Sequence, residues 1–334
     1  MKKQLFAKIS AVVIAVVLVV ILLFQISIGD IARTLASIEP SYLTIGFVLY
    51  IFSYFFRALR FHILLNNKVS IKDLFTIVCV HNMANNILPA RTGEISYVYL
   101  SKKLHNIPVG EGVANLMVAR VFDFTTISFL FFVSAILIRD LPDMVSKIIW
   151  LIVGLLVFVL LLFLALVFFG EIFVDIIRRI ANKIDTLRFS LVHYLLRKGD
   201  ETMQSFELIK SKKLFGSVFV TSMIAWCFQY SMLYLLANAM NISLAFWCMI
   251  SALTFVFFIT ILPIQSIGGF GIIEGGWALG FMIFRVSKDV AIASGFAFHA
   301  ILLTYAIIIG AFGLMKIYFR PYLVRLLTAK SPLK

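Results

Sequence analysis

Sixty consecutive residues, Leu214 to Ile273, contain no Asp, Glu, Lys or Arg. About 20 apolar residues in a helix cross the hydrocarbon core of a bilayer, so a run of this length holds more than one membrane-embedded element. Ile9 to Gly29, Ile148 to Phe169 and Val290 to Met315 are further charge-free runs of spanning length. Ser41 to Leu65 and Gly112 to Ile138 are apolar apart from a few embedded charges. The 334 residues are 62% hydrophobic and 14% charged, against about 45–50% and about 25% in a soluble protein, which excludes a water-soluble globular fold. The expected class is an all-α polytopic membrane protein with a single domain over residues 1–334.

Met1-Lys2-Lys3 ahead of an apolar run has the outline of a signal peptide. Twenty-one residues exceed the usual h-region of about 7–15 and predict a first transmembrane helix. Two segments resist assignment as simple spans. The run from Leu74 to Ala90 ends in Asn85-Asn86-Ile87-Leu88-Pro89-Ala90-Arg91-Thr92-Gly93-Glu94, and only Ile95 to Leu100 follows before Lys102-Lys103. That second arm is too short to cross about 30 Å at 1.5 Å per residue, which predicts a re-entrant hairpin. In the second segment Leu262-Pro263 is followed by Gly268, Gly269, Gly271 and Glu274, the same order of Leu-Pro, glycine and glutamate. The shared order predicts an internal repeat, about 41–138 and about 214–316. Residues 242–262 and 267–284 each have spanning length as well, so two full spans are the alternative for the second segment.

Cytoplasmic loops carry the excess of Lys and Arg. With the N-terminus inside and both Pro/Gly segments re-entrant, 21 of the 30 basic residues face the cytoplasm and five (Arg33, Arg139, Lys147, Arg285, Lys288) face outward. The remaining four, Arg57, Arg60, Arg91 and Arg120, lie in or beside membrane-embedded elements. The net charge of +14 is therefore a topology signal, and no nucleic-acid partner is expected. The resulting expectation is an inverted-repeat bundle of about seven transmembrane helices and two re-entrant hairpins, with both termini cytoplasmic. Residues 171–213 form a basic connector with apolar residues at helical spacing, read equally as an interfacial helix on anionic headgroups or as a cover for the bundle.

Ionisable residues at membrane depth are costly and tend to face a cavity or one another. Arg57 and Arg60 are spaced i,i+3, as are Arg120 and Asp123; Arg91 and Glu94 flank Gly93, and Glu274 follows the second glycine loop. Four arginines beside three carboxylates leave one positive charge, which suits an anionic ligand, and guanidinium forks match phosphate oxygens. Unwound backbone around Asn85, Asn86 and Pro89, and around Pro263, Gly268, Gly269 and Gly271, is expected to offer N–H groups to the same anion. The alternatives are that Arg57 and Arg60 snorkel to the interface and that Arg120 and Asp123 are a structural ion pair.

Cys79, Cys227 and Cys248 lack metal-ligand spacing and read as buried small hydrophobes. The five histidines are scattered, and His81 reads as a cavity or an interior hydrogen-bonded residue. No metal, cofactor or phosphate loop is expected.

The ordered set of Arg57-x-x-Arg60, Asn85-Asn86-Ile87-Leu88-Pro89 with Gly93-Glu94, Arg120-x-x-Asp123, and Leu262-Pro263 with Gly268-Gly269-x-Gly271-x-x-Glu274 resembles the flippase-like transmembrane domain of lysylphosphatidylglycerol synthases. The resemblance implies translocation of a lipid, as that domain does for aminoacylated phosphatidylglycerol. The chain ends at Lys334 without the soluble aminoacyl-transferring half, so lysine transfer is not expected. The expected partner is an anionic phospholipid or a polyprenyl-phosphate-linked lipid, with a separate synthase as a further partner. The competing readings are a lipid-linked glycosyltransferase, for which Asp140-x-x-Asp143 is the best support, and a non-transporting scaffold of a lipid-modifying synthase.

Overall fold

The computed structural model describes residues 27–88, 92–138, 145–158, 212–261 and 267–329, with a few isolated positions between 143 and 179. The expected first span and the basic connector lie almost wholly outside the described residues, as do Pro89, Arg91 and Pro263. No strand occurs among the described residues. The helices, in chain order, are α1 (Ile28–Ala36), α2 (Pro40–Leu64), α3 (Ile71–Ile87), α4 (Glu94–His105) and α5 (Val109–Leu137). They continue with α6 (Val145–Phe158), α7 (Lys212–Ala239), α8 (Phe246–Ile261), α9 (Ile272–Ile283) and α10 (Lys288–Ala329). Among the described residues, four segments are long and apolar enough to cross a membrane: Pro40–Leu64, Val109–Leu137, Leu214–Ala239 and Lys288–Tyr318.

Local chemistry sets the boundaries. Pro40 opens α2, where its missing N–H breaks no helical bond. Asn66 and Asn67 then turn the chain in left-handed conformations (φ 48° and 62°). The Ser70 hydroxyl caps α3 by accepting from the Asp73 N–H at 3.2 Å, and Asn106 closes α4 at φ 56°.

The helices invert the soluble pattern, as a lipid solvent requires. Ile45, Val48, Phe52 and Phe55 of α2, and Phe129, Phe132 and Ile136 of α5, face outward. Ser53, Arg57, Arg60, Asp123, Thr126, Ser222 and Gln229 are buried. Cys79 is buried, but Cys227 is exposed on the outer surface of α7, a correction to the reading of all three cysteines as interior.

Helices α2–α5 and α7–α10 follow one plan: a long helix, two short ones and a long one. Their neighbour relations survive exchange of the two sets. The first long helices of the two sets, α2 and α7, pack on each other. α3 against α4 corresponds to α8 against α9, α4 against α5 to α9 against α10, and α3 against α10 to α8 against α5. The short helices are shorter than their apolar sequence runs. At 1.5 Å per residue the 17 residues of α3 and the 12 of α4 or α9 reach about 26 and 18 Å, below the roughly 30 Å of a bilayer core. Of the residues 242–262 and 267–284 read as possible spans, the described helices take 246–261 and 272–283, and residues 262–266 lie outside the described residues.

Candidate functional site

A cavity of about 290 Å³ opens where α2, α3, α4, α5, α7, α8 and α10 meet the loop before α9. Its polar wall is Arg57, Arg120, Asp123, Glu94, Gln229 and the row Asn82, Asn85 and Asn86. Its apolar wall includes Trp226, Phe257, Ile273 and Phe298.

Asp123 is the hub of the polar wall. Its Oδ1 accepts from Arg60 Nη1 and from the Trp226 indole N–H, both at 2.7 Å. Its Oδ2 accepts from Arg60 Nη2 and Arg120 Nη1, each at 3.3 Å, and stands 3.8 Å from Arg57 Nη1. Arg60 also donates to the Ser222 hydroxyl at 3.1 Å, so its fork is committed to Asp123 and α7. Arg57 is held differently: its guanidinium lies over the Trp226 ring at 4.9 Å, and Nε donates to Ser53 at 3.4 Å. Arg57 and Arg60 are 9% and 2% exposed, so snorkelling to the interface does not describe them; α7 covers both.

Glu94, at the start of α4, accepts from Arg120 Nε at 2.9 Å. The nearest basic residue in sequence, Arg91, lies outside the described residues, and the partner observed is 26 positions away. Three guanidinium groups and two carboxylates leave one positive charge among the described residues of this cluster.

The turn into α4 depends on close backbone approach. A Cβ on Gly93 would sit 2.3 Å from the Asn85 nitrogen and 2.4 Å from the Ala84 carbonyl carbon. His81 Nδ1 lies 3.3 Å from the Gly93 carbonyl and Asn85 Nδ2 lies 3.2 Å from His81 Nε2, which makes His81 a buried interior residue tying the two arms. Gly93→Ala must move backbone on one arm, and overpacking of this kind costs about 1–3 kcal/mol or more. Melting of the purified variant is expected to show that loss; a wild-type melting curve would mean that the arms are not closely packed.

The second glycine loop winds through positive φ at Gly268 (66°), Gly269 (75°) and Gly271 (80°), a path that side chains with a Cβ rarely follow. Gly269 and Ile273 reach the cavity. Glu274 does not: it is fully buried, accepting from the Gly271 N–H at 2.8 Å and paired with His299 Nδ1 at 2.7 Å. Of the residues predicted from sequence, the structure brings Arg57, Asn85, Asn86, Glu94, Arg120, Asp123 and Gly269 to one cavity. Arg60 stands behind it as the partner of Asp123.

The sequence model of the family described as "Lysylphosphatidylglycerol synthase TM region" matches residues 9–310. The chain belongs to this family. It is accordingly an all-α, multi-pass membrane protein. A UPF0104 membrane protein of Methanothermobacter thermautotrophicus is 26% identical over 306 residues, covering 84% of this chain and 85% of the relative. Glycosyltransferase AglD of Haloferax volcanii is 25% identical over 123 residues, which cover 36% of this chain and only 20% of that protein.

Trp226, Gln229 and the Tyr50–Tyr54 hydroxyl pair escaped the sequence reading of this family member. Aromatic residues are 15% of the chain, so none stands out by type. The available signal was position: a Trp with a polar N–H, and a Gln, three residues apart in the longest charge-free run, need polar partners at depth.

Proposed function

We propose that the chain moves an anionic, phosphate-bearing lipid between leaflets, as a transporter rather than an enzyme. The observation that supports this most is the cavity, where a net positive arginine cluster, the asparagine row and Gly269 of the second glycine loop share one space. Drug-sized ligands occupy pockets of about 300–1,000 Å³, so about 290 Å³ suits a headgroup whose acyl or prenyl chains stay in the bilayer. Guanidinium groups take phosphate oxygens bidentately, and the carboxylates keep the site from binding so tightly that release fails.

An inverted repeat supplies a way to expose such a site alternately to the two sides. The exchange of neighbours between α2–α5 and α7–α10, the shortness of α3, α4 and α9, and the cytoplasmic bias of Lys and Arg support two re-entrant hairpins entering from opposite sides. About seven spans with cytoplasmic termini complete that reading. In a cysteine-free background, cysteines at the exposed positions Leu88 and Phe270 are expected to react with impermeant thiol reagents from opposite sides, Leu88 from the cytoplasm. Labelling of both from one side would overturn the inversion.

The name of the Haloferax relative favours a second reading, in which the domain holds a lipid-linked sugar for a transferase. Of Asp140 and Asp143, the pair that supported this class in the sequence, Asp140 lies outside the described residues. Reconstitution with labelled lipids of several headgroup types separates the readings. Transfer of phosphatidylglycerol or a polyprenyl phosphate between leaflets is expected. Equal distributions with and without protein, for every phosphate-bearing lipid tried, would favour the transferase or a scaffold.

A further inference from the structure

Glu274 and His299 stand apart from the arginine cluster. Both are fully buried, at 0% and 1% exposed, and their side chains join α9 to α10. One hydrogen sits between Nδ1 and Oε1, so with Glu274 ionised His299 carries its proton on Nδ1 and donates it at 2.7 Å. The opposite ring nitrogen, Nε2, then holds a bare lone pair; it is buried and has no hydrogen-bond partner among the described residues. The pair in this form carries one negative charge. The Gly271 N–H at 2.8 Å and the N-terminus of α9 stabilise it only in part.

Among the described residues no ionisable neighbour supplies the missing positive charge. α8 contains no Asp, Glu, Lys, Arg or His, only Cys248; the second glycine loop contains none, and Glu274 is the only such residue of α9. On α10 the nearest charged residue by sequence, Asp289, is ten residues and about 15 Å from His299, with Lys288 beside it and Lys316 farther in the other direction. α3 brings His81, already bound to Gly93 and Asn85, and Lys72 and Asp73 at its far end. α1 brings Asp30 and Arg33, exposed and paired with each other. Arg57, Arg120, Asp123 and Glu94 line the cavity on which Ile273 and Phe298, the chain neighbours of this pair, also border.

We propose that Glu274 and His299 form a proton-binding site that couples lipid transfer to the pH difference across the membrane. A proton from water bonds to the Nε2 lone pair, and an imidazolium–carboxylate pair without net charge results. A buried neutral pair is far less costly than a buried single charge. The imidazolium formed lies against the Phe270 ring, 4.7 Å between centroids, where a cation is attracted. Gly269 carries the effect outward, since a Cβ there would be 3.8 Å from His299 Cε1 and Gly269 itself lines the cavity. The coupling step rests on the transport reading; proton binding does not.

Two measurements on the full chain keep these apart. Infrared difference spectra of the purified protein between acidic and alkaline buffer are expected to show a histidine band that His299→Asn abolishes. Asn keeps an N–H for Glu274 but has no second nitrogen to protonate. A wild-type protein without a titrating histidine band that His299→Asn removes would overturn the site. In vesicles of phosphatidylcholine with fluorescent phosphatidylglycerol, an imposed pH difference is expected to drive accumulation in one leaflet by wild type. His299→Asn is expected to equilibrate the same lipid without accumulation. Equal wild-type distributions with and without the pH difference would overturn the coupling and leave the transport reading standing. No transfer by wild type under any condition would overturn transport and coupling together, with the infrared result deciding the proton site. Glu274→Gln gives the independent check, since loss of its carboxylate is expected to shift or remove the same band.

Discussion

Asp123→Asn is expected to give the largest loss of folded protein of any single substitution in the polar cluster. The change keeps the shape of the side chain but removes the charge on which Arg60, Arg120 and, at 3.8 Å, Arg57 converge. The amide nitrogen also turns a donor toward groups that are all donors, the Trp226 indole N–H among them. Three guanidinium groups are then balanced by Glu94 alone among the described residues. Breaking a buried ion pair by removing one partner costs about 3–5 kcal/mol, because the other charge stays buried and unpaired. A protein with about 5–15 kcal/mol of stability loses a large part of it. The combined change Asp123→Leu with Arg60→Met removes both members of the closest pair, and apolar replacement of a whole buried pair is often neutral. Thermal melting of the three proteins checks the argument. The double variant is expected above the single one, and a single variant that melts like wild type would show that Asp123 is not the hub.

The hub could not be read from the sequence, although its members could. Charge at membrane depth is rare enough to pick out Arg57, Arg60, Glu94, Arg120 and Asp123 one by one. Which of them meet is decided by how α2, α5 and α7 pack, and the strongest contact joins residues 63 positions apart. Proximity in sequence pointed to the Arg120–Asp123 pair, which the structure holds at 3.3 Å; it gave no sign that Arg120 also reaches Glu94 or that Arg60 binds Asp123 more closely. The continuation of α10 to Ala329 was not legible, whereas the spanning parts of the long helices were, to within a few residues, because lipid requires every backbone group to be bonded within the segment. The short helices were less so, since an apolar run continues through a turn that Pro and Gly break. Glu274 was singled out by its glycine motif, but its partner His299 was a lone histidine in an apolar helix and carried no pattern at all.

The functional counterpart of the hub argument is Arg57. Arg60 is spent on Asp123 and Ser222, and Arg120 on Glu94 and Asp123, whereas the carboxylate oxygen paired with Arg57 is 3.8 Å away. Its guanidinium lines the cavity and lies over Trp226, a geometry that holds the plane in place while leaving edge N–H groups for an anion. Arg57→Lys keeps the charge and removes the fork, so folding is expected to change little and lipid transfer a great deal. Loss of one buried, charged hydrogen bond to a ligand costs about 2–5 kcal/mol. At 1.4 kcal/mol per decade that is a fall of roughly 30-fold or more in transfer of labelled phosphatidylglycerol at limiting lipid. Trp226→Phe offers the contrast: the ring beneath Arg57 remains while the N–H bond to Asp123 is lost, so stability is expected to fall more than transfer. Transfer at the wild-type rate by well-folded Arg57→Lys would mean that the cluster holds the bundle together and the lipid phosphate binds elsewhere, since no other described guanidinium in the cavity is so weakly engaged by carboxylate.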